Sequence, residues 1–187
     1  MQNTDLKEVL ALAGTCKRVR SEILKLFYQD NVLYFSCTCA LGFCLSRNEF
    51  VRQNVQRIKF HLRGPQDSHP ISLLHICPNL KELEITVSKW STFYGHQQYS
   101  QFTLSPHLAF FLIDPPLRAA RGVSELLGIS GLESVKVSHA PVRNMFDRNA
   151  KEVNDFETYL KERLEGRGLL KVNIADLVAW LDKRMKL

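Results

Sequence analysis

Five cysteines and six histidines offer the most chemistry in this 187-residue chain. Cys37-x-Cys39-x4-Cys44, with His75 and Cys77 downstream, brings together ligand types that zinc favours. The spacing is not that of a zinc knuckle. Cys37 and Cys44 also fall on the apolar sides of their expected elements, so the cysteines read as buried structural thiols. No metal or cofactor is assigned. His61, His75, His107 and His139 have acids or serines nearby only at unpatterned distances. No G-x-S-x-G, H-E-x-x-H or phosphate-cradling glycine loop occurs, and the Gly122 to Gly128 stretch lacks the lysine of a P-loop. The chain reads as non-catalytic.

Apolar residues make up 45% of the sequence, enough for one core. The net charge is +6 and the pI about 9.1, which permits an acidic or nucleic-acid partner. The basic groups are Lys17, Arg18 and Arg20, then Arg52, Arg57, Lys59 and Arg63. They carry a second reading, a nucleic-acid- or chromatin-associated domain. No apolar run reaches the roughly 18–20 residues of a membrane span. Residues 1–5 are polar and do not read as a secretory signal. An odd number of cysteines with no signal segment suits a reducing compartment, the cytoplasm or nucleus.

The elements that would position these residues follow from periodicity. Residues 5–28 read as helix, with Gly14 marking a break. Gln29-Asp30-Asn31 is a turn signal. Val32–Cys37 reads as strand, residues 39–53 as one helix, Val55–Leu62 as an alternating strand, Ile71–Ile76 as a short apolar piece, and Leu80–Val87 as strand. Residues 88–106 have no period. Leu108–Ile113 is a buried segment of open type. Pro115-Pro116 opens a helix to Leu127, because proline suits a first turn, and Gly128 and Gly131 close it. Leu132–Val137 is the fourth strand. A charged amphipathic helix over 149–164 carries Val153, Phe156, Leu160 and Leu164, and a last helix runs from Asn173.

The four strands share one pattern, apolar-x-x-apolar-x-apolar. They begin at Val32, Val55, Leu80 and Leu132, with starts separated by 23, 25 and 52 residues. Recurrence at 20–29 residues with such strands suits leucine-rich-repeat stacking, in which each unit buries its face only against a neighbour. The fold class expected is therefore α/β: a short, irregular leucine-rich-repeat-like array of strand–helix units, with N-terminal helices and a helical C-terminus.

Residues 9–35 read VLALAGTCKRVRSEILKLFYQDNVLYF. The positions Leu12, Thr15, Cys16, Lys17, Val19, Glu22, Phe27, Tyr28, Asn31, Tyr34 and Phe35 resemble the second half of an F-box in fungal F-box-like proteins. Cys77–Ile85, CPNLKELEI, resembles a repeat of F-box and leucine-rich-repeat proteins. The resemblance implies a protein-interaction module. It also brings in the Skp adaptor of a cullin-type ubiquitin ligase as a candidate partner. That adaptor docks on a Leu-Pro-containing first helix, which residues 1–31 do not contain, so no adaptor contact is assigned.

The organisation expected is an F-box-like helical segment at 1–31, a repeat region at 32–142, and a C-terminal helical cap at 143–187, all in one compact unit. The aromatic loop at 88–106 holds Trp90, Phe93, Tyr94, Tyr99 and Phe102 among small polar residues. These either contact a partner or fold back over a sheet edge. Trp180, on the last helix beside the basic end Lys183-Arg184-Lys186, either enters a partner groove or packs on the array. The function expected is recruitment or scaffolding of a protein partner whose identity the sequence does not give.

Overall fold

The computed structural model describes residues 11, 14, 16–63, 69–92, 116–140 and 148–165. Helix α1 spans Lys17–Asp30 and strand β1 Val32–Phe35. Helices α2 (Thr38–Arg47) and α3 (Glu49–Asn54) lead to β2, Arg57–His61. A single turn, α4 (His69–Ser72), continues as a 3-10 turn over Leu73–Ile76 into β3, Glu82–Val87. A 3-10 turn at Leu117–Ala119 and the short helix α5 (Val123–Leu126) precede β4, Ser134–His139. Helix α6 spans Ala150–Leu164.

The strands form one parallel sheet in the order β1-β2-β3-β4. The fold is α/β, and its unit is strand followed by helix. Successive helices lie side by side on one face, with α2 against α4 and α4 against α5. The sequence pattern maps onto this arrangement as rows across the sheet. Val55, Leu80 and Leu132 form the row just before the strands, all buried. Ile58, Leu83 and Val135 pair in register behind Leu33. Phe60, Ile85 and Val137 pair behind Phe35. Ile58, Leu83, Val135, Phe60 and Ile85 are at most 1% exposed. They pack under Leu41, Leu45, Ile71, Leu74 and Leu126 from the helices. Burial of this kind stabilises by about 1.5–3 kcal/mol per large side chain.

The first repeat is shifted by two residues from the expected alignment. Val32 pairs with Arg57, not Val55, so the true steps are 25, 25 and 52 residues. A slip of two keeps the same face inward, which is why the pattern still matched. Leu33 and Phe35 are the inward pair, and Cys37 lies beyond the strand as the N-cap of α2. Cys37 is therefore a half-buried capping residue and not a core thiol.

Other boundaries differ for local reasons. Gln29 and Asp30 are helical, and Asn31 alone is the C-cap of α1. The expected helix over 39–53 is two helices. Asn48 ends α2, and its side-chain oxygen accepts from Val51 N at 3.1 Å to start α3. The expected helix from Pro116 to Leu127 is broken at Gly122, whose φ of 85° lies in the left-handed region. A Cβ there would stand 2.1 Å from Ile71 Cδ1, so glycine also lets α4 approach. Val153, Phe156, Leu160 and Leu164 are all buried on α6, as its stripe predicts. Leu108–Ile113 and the helix from Asn173 lie outside the described residues.

Helix α6 closes the β4 edge of the sheet. The outward-pointing amides of that strand are bonded by its glutamates: Val135 N donates to Glu165 Oε1 at 2.8 Å and Val137 N to Glu157 Oε2 at 3.1 Å. An open strand edge invites pairing with another chain, and here side-chain carboxylates occupy it. Lys161, one turn along from Glu157, pairs with it. Burial alone would raise the Glu157 carboxyl; Lys161 and the Val137 amide outweigh that and lower it. Helix α6 thus covers the β4 edge of the sheet.

Candidate interaction surface

The face of the sheet away from the helices is built from the variable positions of the strand pattern. In register across the sheet, one row is Val32, Arg57, Glu82 and Ser134, and the next is Tyr34, Lys59, Glu84 and Lys136. Strand alternation forces them outward once their neighbours are committed to the core. Tyr34 is 60% exposed and Val32 50%. Lys59 Nζ lies 2.5 Å from Glu84 Oε1. A shallow groove at this end is lined by Val32, Arg57, Glu82, Glu84, Ser134 and Lys136 among others. The surface is therefore an apolar edge on β1 followed by columns of positive, negative and again positive charge.

The upper end of the same face is closed. His61 pairs with Thr86, and Thr86 with Ser138, in register. Thr86 Oγ1 and Ser138 Oγ are 3.1 Å apart. His61 and Thr86 are both buried. His61 Nε2 lies 2.9 Å from Ser88 Oγ. Ser88 is fully buried and heads a capping box, exchanging bonds with the backbone of Trp90 and the side chain of Ser91. The hydroxyl that faces His61 is thus already engaged in holding a turn. Burial, with a smaller contribution from Arg63, lowers the His61 pKa to about 4, so the ring is neutral near pH 7.

Arg148 ties α6 to this corner. Its guanidinium donates to Ser88 O at 3.3 Å, to Thr92 Oγ1, and to both carboxylate oxygens of Glu152 at 2.9 and 3.0 Å. Glu152 also accepts from Leu117 N at 2.9 Å. A buried charge needs such bonding on every side to be tolerated.

The basic residues named from the sequence do not gather into one patch. Lys17, Arg18 and Arg20 sit on the exposed first turn of α1, where Arg18 Nε lies 3.2 Å from Glu22. Arg52 donates to the carbonyls of Leu45 and Ser46 at the end of α2. Arg57 does the same for Gln29 and Asp30 at the end of α1. These are cations at helix C-termini, where the carbonyls lack helical partners. Arg63 Nε donates to Ser36 O at 3.0 Å. Of the aromatic positions, Trp90 is 39% exposed after β3. Phe93, Tyr94, Tyr99, Phe102 and Trp180 lie outside the described residues. Val32, Tyr34, Glu82, Glu84 and Lys136 were missed by motif reading. Their signal was their place in the unconstrained slots of the strand pattern.

Among the described residues no group of three or more His, Cys, Asp or Glu is placed to hold a metal ion. Among the same residues no helix is long and apolar enough to cross a membrane. No family model, curated protein or solved structure matches the chain.

Proposed function

We propose that the chain is a non-catalytic protein-interaction module that recruits or scaffolds a protein partner on the open face of its sheet. The observation that carries this reading is the composition of that face. Val32 and Tyr34 stand exposed beside Arg57, Lys59, Glu82, Glu84 and Lys136. Three cations against two anions leave it nearly neutral. A nucleic-acid surface needs unpaired positive charge to displace counterions. Here Lys59 is already paired with Glu84 and the Arg57 guanidinium is held on helix carbonyls. An aromatic anchor beside complementary charge columns suits a protein surface of mixed charge. The resemblance of residues 9–35 to fungal F-box-like proteins supports the same class of function.

Amine-reactive cross-linking in extracts of cells expressing the chain tests this. Cross-links from Lys59 and Lys136 to peptides of one protein are expected. Links spread evenly over all surface lysines, or complexes lost on nuclease treatment, would overturn it.

A further inference from the structure

On the reading that the open face docks a protein, we infer that this protein is a second copy of the chain, stacked face to face about a two-fold axis that runs along the strands between β2 and β3. In an isologous contact each residue meets the position that the axis exchanges with its own. This axis exchanges β2 with β3 and β1 with β4. The row Tyr34, Lys59, Glu84, Lys136 then lies against Lys136, Glu84, Lys59, Tyr34 of the copy, in that order. The row Val32, Arg57, Glu82, Ser134 lies against Ser134, Glu82, Arg57, Val32. Every cation meets an anion or an aromatic ring, and no like charges meet.

Other two-fold arrangements of this face fail on charge or on overlap. Among axes along the strands, only this one overlaps all four columns. An axis over β2 sets Arg57 and Lys59 against themselves, and one over β3 does the same to Glu82 and Glu84. An axis across the strands sets each column on its own copy, with the same repulsions. Twisted sheets stack with their strands within about 30° of each other, which the chosen axis permits.

The side chains are already disposed for this contact. Lys59 Nζ lies 2.5 Å from Glu84 Oε1 within one chain, so two copies close a ring of four charges of alternating sign around the axis. That pairing holds both side chains in place beforehand, which lowers the cost of ordering them on association. Tyr34, 60% exposed, comes to rest over Lys136, which lines the shallow groove, and a ring over an ammonium is attractive. Val32 is covered at the same time. The face is only four strands wide, so the dimer belongs to the small, transient class and depends on charge.

Analytical ultracentrifugation of the full chain over a concentration series at low salt tests the assignment. The mass should rise from the 21.5 kDa of one chain toward twice that value. It should fall back in about 1 M salt, where charges are screened beyond about 3 Å. Lys59→Glu and Glu84→Lys should each stay monomeric, because each sets like charges together at the axis. An equal mixture of the two should associate again, since each supplies the charge that the other lost. Circular dichroism checks that both are folded. Should one not fold, Tyr34→Ala, which leaves the charges alone, should weaken association about tenfold. A wild type that is monomeric throughout, a dimer that these substitutions leave intact, or a mixture that stays monomeric overturns the second copy. If a different protein then co-purifies with the wild type and is lost with Tyr34→Asp plus Lys136→Glu, docking on the face stands without the second copy. If nothing is lost, both fall.

Discussion

His61 gives the fold a defined acid sensitivity. The ring is buried against Ser88, and its pKa falls from 6.5 to about 4. The folded value lies below the unfolded one. The neutral ring is therefore tolerated fully above pH 6.5, and stability falls as the pH drops toward 4, because only the unfolded chain takes up the proton. In that window the native state lacks one proton, so the slope is about 1.4 kcal/mol per pH unit and the whole loss about 3 kcal/mol. Below pH 4 both states are protonated and this contribution levels off. Glu157, whose carboxyl is lowered, loses its contribution at more acid pH, as the pH falls through its folded value. Urea unfolding of the wild type and of His61→Gln at half-unit intervals from pH 7 to 4 separates the two. The difference between the proteins should narrow by about 3 kcal/mol across the window. Parallel stability curves would refute the burial of a neutral ring.

The two left-handed glycines separate strain from crowding. Gly131→Ala, with open space around its Cβ, should cost about 1 kcal/mol of conformational strain, whereas Gly122→Ala adds a clash with Ile71 and should cost about 3 kcal/mol or more, both by chemical denaturation. Glu157→Ala with Glu165→Ala removes the acceptors of the β4 edge amides. It should cost about 2–4 kcal/mol in all, speed hydrogen exchange at Val135 and Val137, and favour self-association seen by light scattering.

How far the sequence foretold this can be traced to particular residues. The buried rows were readable because Ile58, Leu83 and Val135 recur with Phe60, Ile85 and Val137 at constant offset. The α6 stripe was readable because four apolar residues keep helical phase in a charged segment. The first strand was misread by two residues because Val32 is apolar yet faces solvent, and Asp30 holds the slot that Val55 and Leu80 fill elsewhere. The breaks at Asn48 and Gly122 were missed because apolar periodicity continues across them. They depend on a capping bond and on the approach of Ile71, both of which exist only in three dimensions. The Ser88–Arg148 corner joins residues 60 apart, so no local pattern could have shown it. The outward face carried no motif, because strand alternation leaves its positions free of the packing that fixes the inward rows.

The most direct test of a docking role for that face is affinity purification of the tagged chain from its source cells, quantified by mass spectrometry. Three proteins are compared: wild type, the face variant Tyr34→Asp with Lys136→Glu, and Phe43→Asp, an exposed position on α2 behind the sheet. Circular dichroism confirms that each is folded. A stoichiometric protein partner should accompany the wild type and Phe43→Asp, and fall at least about tenfold with the face variant, the loss of one good anchor at an interface. Equal recovery with all three proteins would contradict docking on the open face.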